Sequence, residues 1–137
     1  MIRHGFDGGE ELLKPAYLAP PVEGFPGTVL VTFQRKVAEA LERRFPVETV
    51  STLNAGVELP IYRFSCQGRT LGLYLTVLGG PATVGLLEEV WAKGAKKVLL
   101  FGTCGGLDPD LPAGHFIVPT AAYRDEGTSF HYLPPSD

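Results

Sequence analysis

Residues 98–107 read VLLFGTCGGL. Four apolar residues, Val98 to Phe101, run straight into Gly102, Thr103, Cys104, Gly105 and Gly106. With Lys96 and Lys97 in front, KKVLLF lacks the polar alternation of a half-exposed strand and is bounded by glycines. It therefore reads as a fully buried, central parallel strand. In an open α/β sheet, ligands gather beyond the carboxyl ends of the strands, which is where this glycine loop falls. Glycines let backbone N–H groups approach an anion, and the Thr103 hydroxyl adds a donor. The same glycines serve a tight turn equally well. The spacing, G-x-x-G-G, is neither the G-x-G-x-x-G of dinucleotide folds nor the G-x-x-x-x-G-K of P-loops. Spacing alone leaves a ligand loop and a structural turn both open.

Upstream, GGPATVGLLEEVWAKG places Pro81 in a first helical turn and an apolar stripe at Val84, Leu87 and Trp91. Gly94 stands where a C-terminal cap belongs, so a helix is expected from about Ala82 to Lys93. Its N-terminus follows a second glycine loop, LGGPAT, where the helix dipole and free N–H groups favour anions. Earlier still, TVLVTF from Thr28 reads as a strand. QRKVAEALERRF then sets Val37, Ala40, Leu41 and Phe45 at helical spacing, with Glu39 and Arg43 as an i,i+4 pair. Pro46 stops that helix. VETVSTL, LPIYRFSC and RTLGLYLTVL are strand candidates, the last two joined across Gln67 and Gly68 as a hairpin. Downstream, HFIVPTAAY reads as a further strand. Strands alternate with helices, so the class is α/β with a central mixed sheet flanked by helices. Residues 1–27 are broken by glycine and proline throughout and read as an N-terminal arm, leaving 28–137 as one domain.

Composition bounds the function. The chain has 137 residues, 45% hydrophobic and 20% charged, with a net charge of −3. That balance disfavours a nucleic-acid partner, which requires a basic excess. No apolar run approaches a membrane span, and Asp7, Glu10 and Glu11 interrupt the first twenty residues where a signal peptide needs apolar sequence. A cytoplasmic protein with no membrane partner is expected. Cys66 and Cys104 fit neither a disulfide framework nor paired zinc spacing, and His4, His115 and His131 are scattered, so no metal is assigned. The segment AYRDEGTSFHY, residues 122–132, packs Arg124, Asp125, Glu126, Ser129 and His131 together. This density of titratable groups is unusual for a connecting loop, although Arg124 beside Asp125 or Glu126 also suits a surface ion pair. Arg124, Glu126 and His131 are the candidates for proton or charge chemistry. Asp125 and Glu126 lie about 20 positions beyond the glycine loop, as a dinucleotide fold would require, but the glycine spacing does not match.

The order of these segments, LGGPAT, helix, GAKKVLLFGTCGGLDPDLPAGHFIVPTAAYRDEGTSFHY, resembles the nucleoside phosphorylase family and most closely its uridine phosphorylase branch. The resemblance runs from about Leu59 to Asp137 and corresponds to the amino-terminal half of such proteins. It implies a mixed sheet flanked by helices and reversible cleavage of an N-glycosidic bond by phosphate. Phosphate is then the co-substrate and no other cofactor is needed. It further implies that Thr103 contacts phosphate and ribose within a frame of Gly102 and Gly105, and that Cys104 lines the ribose site. Gly79 and Gly80 would lie near the same pocket, and His4 would match a histidine that reaches a neighbouring subunit. A homo-oligomer or a complementary chain is the implied partner. Three departures stand out. The Gly-Asp-Pro-x-Arg loop is absent after the first strand, with only Arg35 as a counterpart. Leu100 replaces a phosphate-binding arginine, and no arginine stands near Gly56 or Val57. Loss of those charges weakens the electrostatic clamp on a dianionic nucleophile. Hydrolysis, or an inactive half-domain that binds nucleoside or serves assembly, are the alternatives to phosphorolysis.

Overall fold

The computed structural model describes residues 9–110 and 113–134. These form two compact units, residues 11–102 and residues 103–134 together with 9–10. The first unit holds the sheet. Its elements run α1 (Pro15–Leu18), β1 (Thr28–Thr32), α2 (Arg35–Arg44), β2 (Glu48–Asn54), β3 (Glu58–Cys66), β4 (Arg69–Leu75), α3 (Gly80–Lys93) and β5 (Lys97–Phe101). The strand order is β2-β3-β4-β1-β5. β1 is parallel to both β4 and β5, while β2, β3 and β4 form an antiparallel meander. The sheet is therefore mixed and flanked by helices, as the alternation of periodicities predicts.

Alternating side chains feed two cores. Val29 and Val31 of β1 join Ile61, Tyr74, Leu86 and Val90 on the α3 side. Leu30 faces the other way and joins Ala38, Leu41, Phe64 and Leu73 under α2. The two helices therefore cover opposite faces, each burying the inward set of a period-two strand. The β3–β4 hairpin turns through Gln67 (φ 50°) and Gly68 (φ 73°), both left-handed, and pairs Cys66 with Arg69. Two positive-φ residues in a two-residue loop define a type I′ turn, whose twist matches the flanking strands. α3 ends on Gly94 at φ 128°, whose N–H donates to the Trp91 carbonyl. Glu39 and Arg43 pair at 4.0 Å on α2.

Four expectations are corrected. KKVLLF is not a buried central strand: β5 lies at the sheet edge, with Leu99 61% and Leu100 47% exposed. Among the described residues no strand pairs with its outer side, so its apolar residues lie at the rim. HFIVPTAAY forms no strand, and Phe116, Ile117 and Val118 are exposed. β-formers become a strand only where a neighbour takes up their hydrogen bonds, and Pro119 removes one donor. On α2, Ala38 is buried and Ala40 exposed. On α3 the buried residues are Thr83, Leu86, Val90 and Lys93, and of the stripe Val84, Leu87 and Trp91 it is Leu87 that packs against the core. Leu87 and Trp91 also line a groove against Pro15 and Ala16, where α1 packs along α3.

Candidate functional site

The three parallel strands end at one edge of the sheet, where Thr32 is in register with Leu75 on one side and Phe101 on the other. β1 leads into α2 on one face, and its neighbour β4 leads into α3 on the opposite face. Adjacent parallel strands whose connections leave to opposite faces open a crevice beyond their carboxyl ends. Connectivity alone thus singles out this edge as the candidate site before any side chain is considered.

Backbone and hydroxyl groups furnish this edge. The Thr76 N–H donates to the Thr32 carbonyl at 2.8 Å, tying the end of β4 to the end of β1. The Thr32 hydroxyl accepts from the Gln34 N–H at 3.2 Å and so shapes the turn into α2. Gly79, at φ 111°, is the cap position of α3, and the Thr83 hydroxyl reaches back to the Val77 carbonyl at 3.0 Å. A left-handed φ at Gly79 favours glycine. Neither α2 nor α3 has a side-chain cap at its N-terminus. Both therefore present main-chain N–H groups and the positive ends of their dipoles toward this edge. Arg35, exposed, is the first residue of α2, and Gly80 the first of α3. Gly102 follows β5 directly, and a Cβ there would lie 3.5 Å from the Phe33 ring. Of the sequence-identified candidates, Arg35, Gly80 and Gly102 are thus brought to one edge.

Sequence reading missed Thr32 and Thr76. Both are buried, and among the described residues the Thr76 hydroxyl has no hydrogen-bond partner. Their signal is a single threonine closing each apolar run, TVLVT and LYLT. Two residues before Thr76 on β4, the buried Tyr74 hydroxyl also lacks a partner. Burial pushes the Tyr74 phenol up to about 12. The Glu89 carboxylate adds to the shift, and the nearby Thr76 hydroxyl opposes it without reaching hydrogen-bond geometry.

In the second unit Thr103, Cys104 and Gly105 are exposed, Cys104 as a free thiol. The polar cluster is closely knit. Arg124 donates from Nε to the Ser129 hydroxyl at 3.0 Å and from Nη2 to the carbonyls of Ser129 and Leu133 at 2.8 and 2.6 Å. Nη1 reaches the Pro134 carbonyl at 2.6 Å. Its guanidinium also lies 4.7 Å from the centre of the Phe130 ring. Glu126 accepts from the Thr128 and Ser129 N–H groups at 2.7 and 3.1 Å and caps a short 3-10 turn, Ser129–His131. Those bonds, led by the ones to Ser129, hold its carboxyl below the ordinary carboxylate range. Arg124 and Glu126 thus organise the loop that carries His131. Ionised Glu126 suits an acceptor better than a proton donor. His4 lies outside the described residues. Among the described residues no three His, Cys, Asp or Glu side chains gather as metal ligands, and no helix is long and apolar enough to cross a membrane.

Fold and edge together define an α/β protein with glycines at the carboxyl ends of its parallel strands. The chain belongs to the phosphorylase superfamily, whose sequence profile matches residues 28–137. Among curated relatives, a uridine phosphorylase of Treponema pallidum is 44% identical over 59 residues, 43% of this chain and 23% of that protein. The uridine phosphorylase of Escherichia coli is 32% identical over 77 residues, 56% of this chain and 30% of its own. A guanosine phosphorylase of Halorubrum lacusprofundi is 36% identical over 75 residues, 55% of this chain and 31% of its own. The matched segments thus span less than a third of these relatives. Solved structures of Vibrio fischeri uridine phosphorylase (TM-score 0.53, 21% identity) and Toxoplasma gondii purine nucleoside phosphorylase (TM-score 0.53, 23% identity) share the fold. Each match covers 64% of this chain, and 37% and 35% of the respective structures.

Proposed function

We propose that the protein acts on nucleosides at the carboxyl edge of its sheet, in the manner of the uridine phosphorylase branch. The bond from the sugar C1′ to the base nitrogen breaks, a bond from C1′ to a phosphate oxygen forms, and the base leaves with a proton. Residues 28–137 are then the phosphorylase-like portion and residues 1–27 an arm, in a cytoplasmic protein that works as a homo-oligomer or with a complementary chain. Gly102 frames the anion beside the Gly79–Gly80 turn, and Arg35 supplies the phosphate cation; by the resemblance alone, Thr103, Cys104 and Gly105 are the further candidates for sugar and anion contacts. The observation that carries this reading is the meeting of Arg35, Gly80 and Gly102 at one sheet edge. The relatives named as uridine and guanosine phosphorylases support a nucleoside substrate and leave pyrimidine and purine to experiment.

A second reading, hydrolysis of the same bond or binding without turnover, is favoured by Leu100. An uncharged side chain stands where the resemblance implies a phosphate-binding arginine. Incubation with uridine, inosine or guanosine, with and without phosphate or arsenate, followed by chromatography of the free base, separates the possibilities. Base release that requires phosphate or arsenate supports phosphorolysis. Equal release without them supports hydrolysis, and no release under any condition, with nucleoside binding retained by calorimetry, leaves a binding protein.

A further inference from the structure

We infer that Lys97 of a second copy, whose β5 pairs antiparallel with the outer side of β5, supplies a cation to the phosphate end of the proposed site. The role of Lys97 rests on the function proposed above, whereas the pairing rests on β5 alone. Lys97 donates its main-chain N–H to the Gly27 carbonyl at 2.9 Å. Main-chain groups alternate sides along a strand, so Lys97, Leu99 and Phe101 face β1 while Val98 and Leu100 turn theirs outward. Among the described residues no strand receives them. Leu99 and Leu100, 61% and 47% exposed, also leave apolar side chains uncovered on opposite faces of the sheet. An open strand of this kind is a template for another strand.

The residues of β5, Lys97–Phe101, select one register. An antiparallel self-pair centred on Leu99 uses the whole strand. Val98 then exchanges hydrogen bonds with the partner's Leu100, and Leu100 with the partner's Val98, which are the residues whose main-chain groups point outward. Leu99 meets its own counterpart on the two-fold axis. Lys97 falls opposite the partner's Phe101, so no lysine faces a lysine. The axis stands perpendicular to the sheet, and the contact is isologous.

This register brings charge to the place that is short of it. Leu30, which packs under α2, is in register with Leu99, so Lys97, Leu99 and Phe101 share the face that α2 covers. The partner's Lys97 therefore arrives beside Phe101 and Gly102 on that face, and α2 begins there with Arg35. Lys97 is exposed and, among the described residues, takes part in no ion pair. Leu100 stands where the resemblance implies a phosphate-binding arginine. An ammonium from across the axis offers phosphate a point charge in its place.

Cross-linking in a Cys66→Ser, Cys104→Ser background reads the register. Leu99→Cys sets two thiols at a pair whose Cα atoms lie about 4.5 Å apart, within disulfide reach. It is expected to form a covalent dimer under mild oxidation, whereas Lys97→Cys and Val98→Cys are not. Leu99→Lys opposes like charges on the axis and is expected to weaken dimerisation, followed by sedimentation velocity, by roughly fivefold or more. Circular dichroism stays unchanged, because the side chain is exposed. Lys97→Gln is expected to keep the dimer and to raise the phosphate concentration for half-maximal base release by roughly tenfold. Mixing Arg35→Ala with Lys97→Gln shows whether the lysine acts across the axis. Each mixed dimer regains one site with both cations, so roughly a quarter of all sites recover the wild-type phosphate dependence. A monomer at every concentration, cross-linking at position 97 or 98 in place of 99, an unaltered phosphate curve for Lys97→Gln, or no recovery on mixing overturns the proposal. If the wild type releases no base from any nucleoside, the nucleoside reading fails. Cross-linking and calorimetric titration with inorganic phosphate, expected to be weaker for Lys97→Gln, then decide this proposal by themselves.

Discussion

Replacing Tyr74 with phenylalanine removes a hydroxyl that is fully buried and, among the described residues, has no hydrogen-bond partner. An unpaired buried polar group costs about 1–3 kcal/mol, and the ring itself is packed among Val29, Val31, Ile61 and Leu86. Tyr74→Phe keeps that packing, so at neutral pH it is expected to leave stability unchanged or raise it by about 1 kcal/mol. The pH dependence gives a sharper signature. Burial raises the phenol from 10.0 to about 12, so the folded state favours the neutral form. The associated stability is fully present below pH 10, the unfolded value, and is lost as pH rises through about 12. Two pKa units correspond to about 3 kcal/mol. Urea unfolding at neutral pH and at several points between pH 10 and 12 measures this, taken as the difference between wild type and Tyr74→Phe so that the remaining tyrosines cancel. The variant is expected to gain on the wild type progressively across that window. A variant more than about 1 kcal/mol less stable at neutral pH would show that the hydroxyl does bond to Thr76. Parallel alkaline curves would show that the phenol titrates normally.

Gly72 of β4 has Pro26 Cγ 2.8 Å and Val29 Cγ2 3.1 Å from where a Cβ would stand. Gly72→Ala is therefore expected to cost about 1–3 kcal/mol by overpacking, read as a lower urea midpoint at constant slope. Glu126 is held ionised by the Thr128 and Ser129 amides, so the order it imposes is present above 4.5 and lost as pH falls through its lowered value. Titration of those two amide signals by NMR is expected to show a midpoint below 4.5, and Glu126→Gln to remove it. Arg124→Lys gives up the forked donors that span Ser129, Leu133 and Pro134, which a single ammonium cannot reproduce. Faster proteolysis within residues 124–134, with global unfolding unchanged, is the expected readout. Arg35→Ala is expected to raise the phosphate concentration for half-maximal base release by roughly tenfold or more, one charge-assisted contact being worth about 1.5–3 kcal/mol. An unaltered phosphate curve would remove Arg35 from the site.

Local chemistry was the legible part of the fold. Gln67-Gly68 marks a hairpin, Pro46 and Gly94 stop their helices, and TVLVT reads as a strand, because each of these signals is carried by residues adjacent in sequence. What failed depended on neighbours distant in sequence. KVLLF has the composition of a buried strand, yet its burial is set by whether another strand lies outside it, which composition does not encode. The stripe Val84, Leu87, Trp91 was a real apolar line on α3, but it straddles two sides: Leu87 packs against the core, and Leu87 and Trp91 both line the groove against α1. A helix apolar on two sides does not announce which one the sheet takes. At the edge, the glycine loops were visible because glycine punctuates a sequence. Thr32 and Thr76 were not, because a threonine inside a β-branched run looks like one more strand former.

The chemistry of the edge follows from what charge it holds. Of the three arginines that the resemblance implies around phosphate, only Arg35 has a counterpart. The exposed Leu100 occupies one of the other positions, on β5 beside Val31. In partial compensation α2 and α3 both start at this edge without side-chain caps. Each N-terminus contributes roughly half a unit of positive charge, and the effect fades within a turn. Two such termini approach the charge of one arginine without its bidentate geometry. A neutral sugar needs donors and acceptors more than charge, and the main-chain N–H groups supply the donors. A phosphate dianion needs the clamp that the missing arginines would form, since stabilising charge in the transition state is the main resource of such sites. On the proposed reading, this edge offers more to a nucleoside than to phosphate, and Arg35 is the residue whose replacement separates phosphorolysis from hydrolysis.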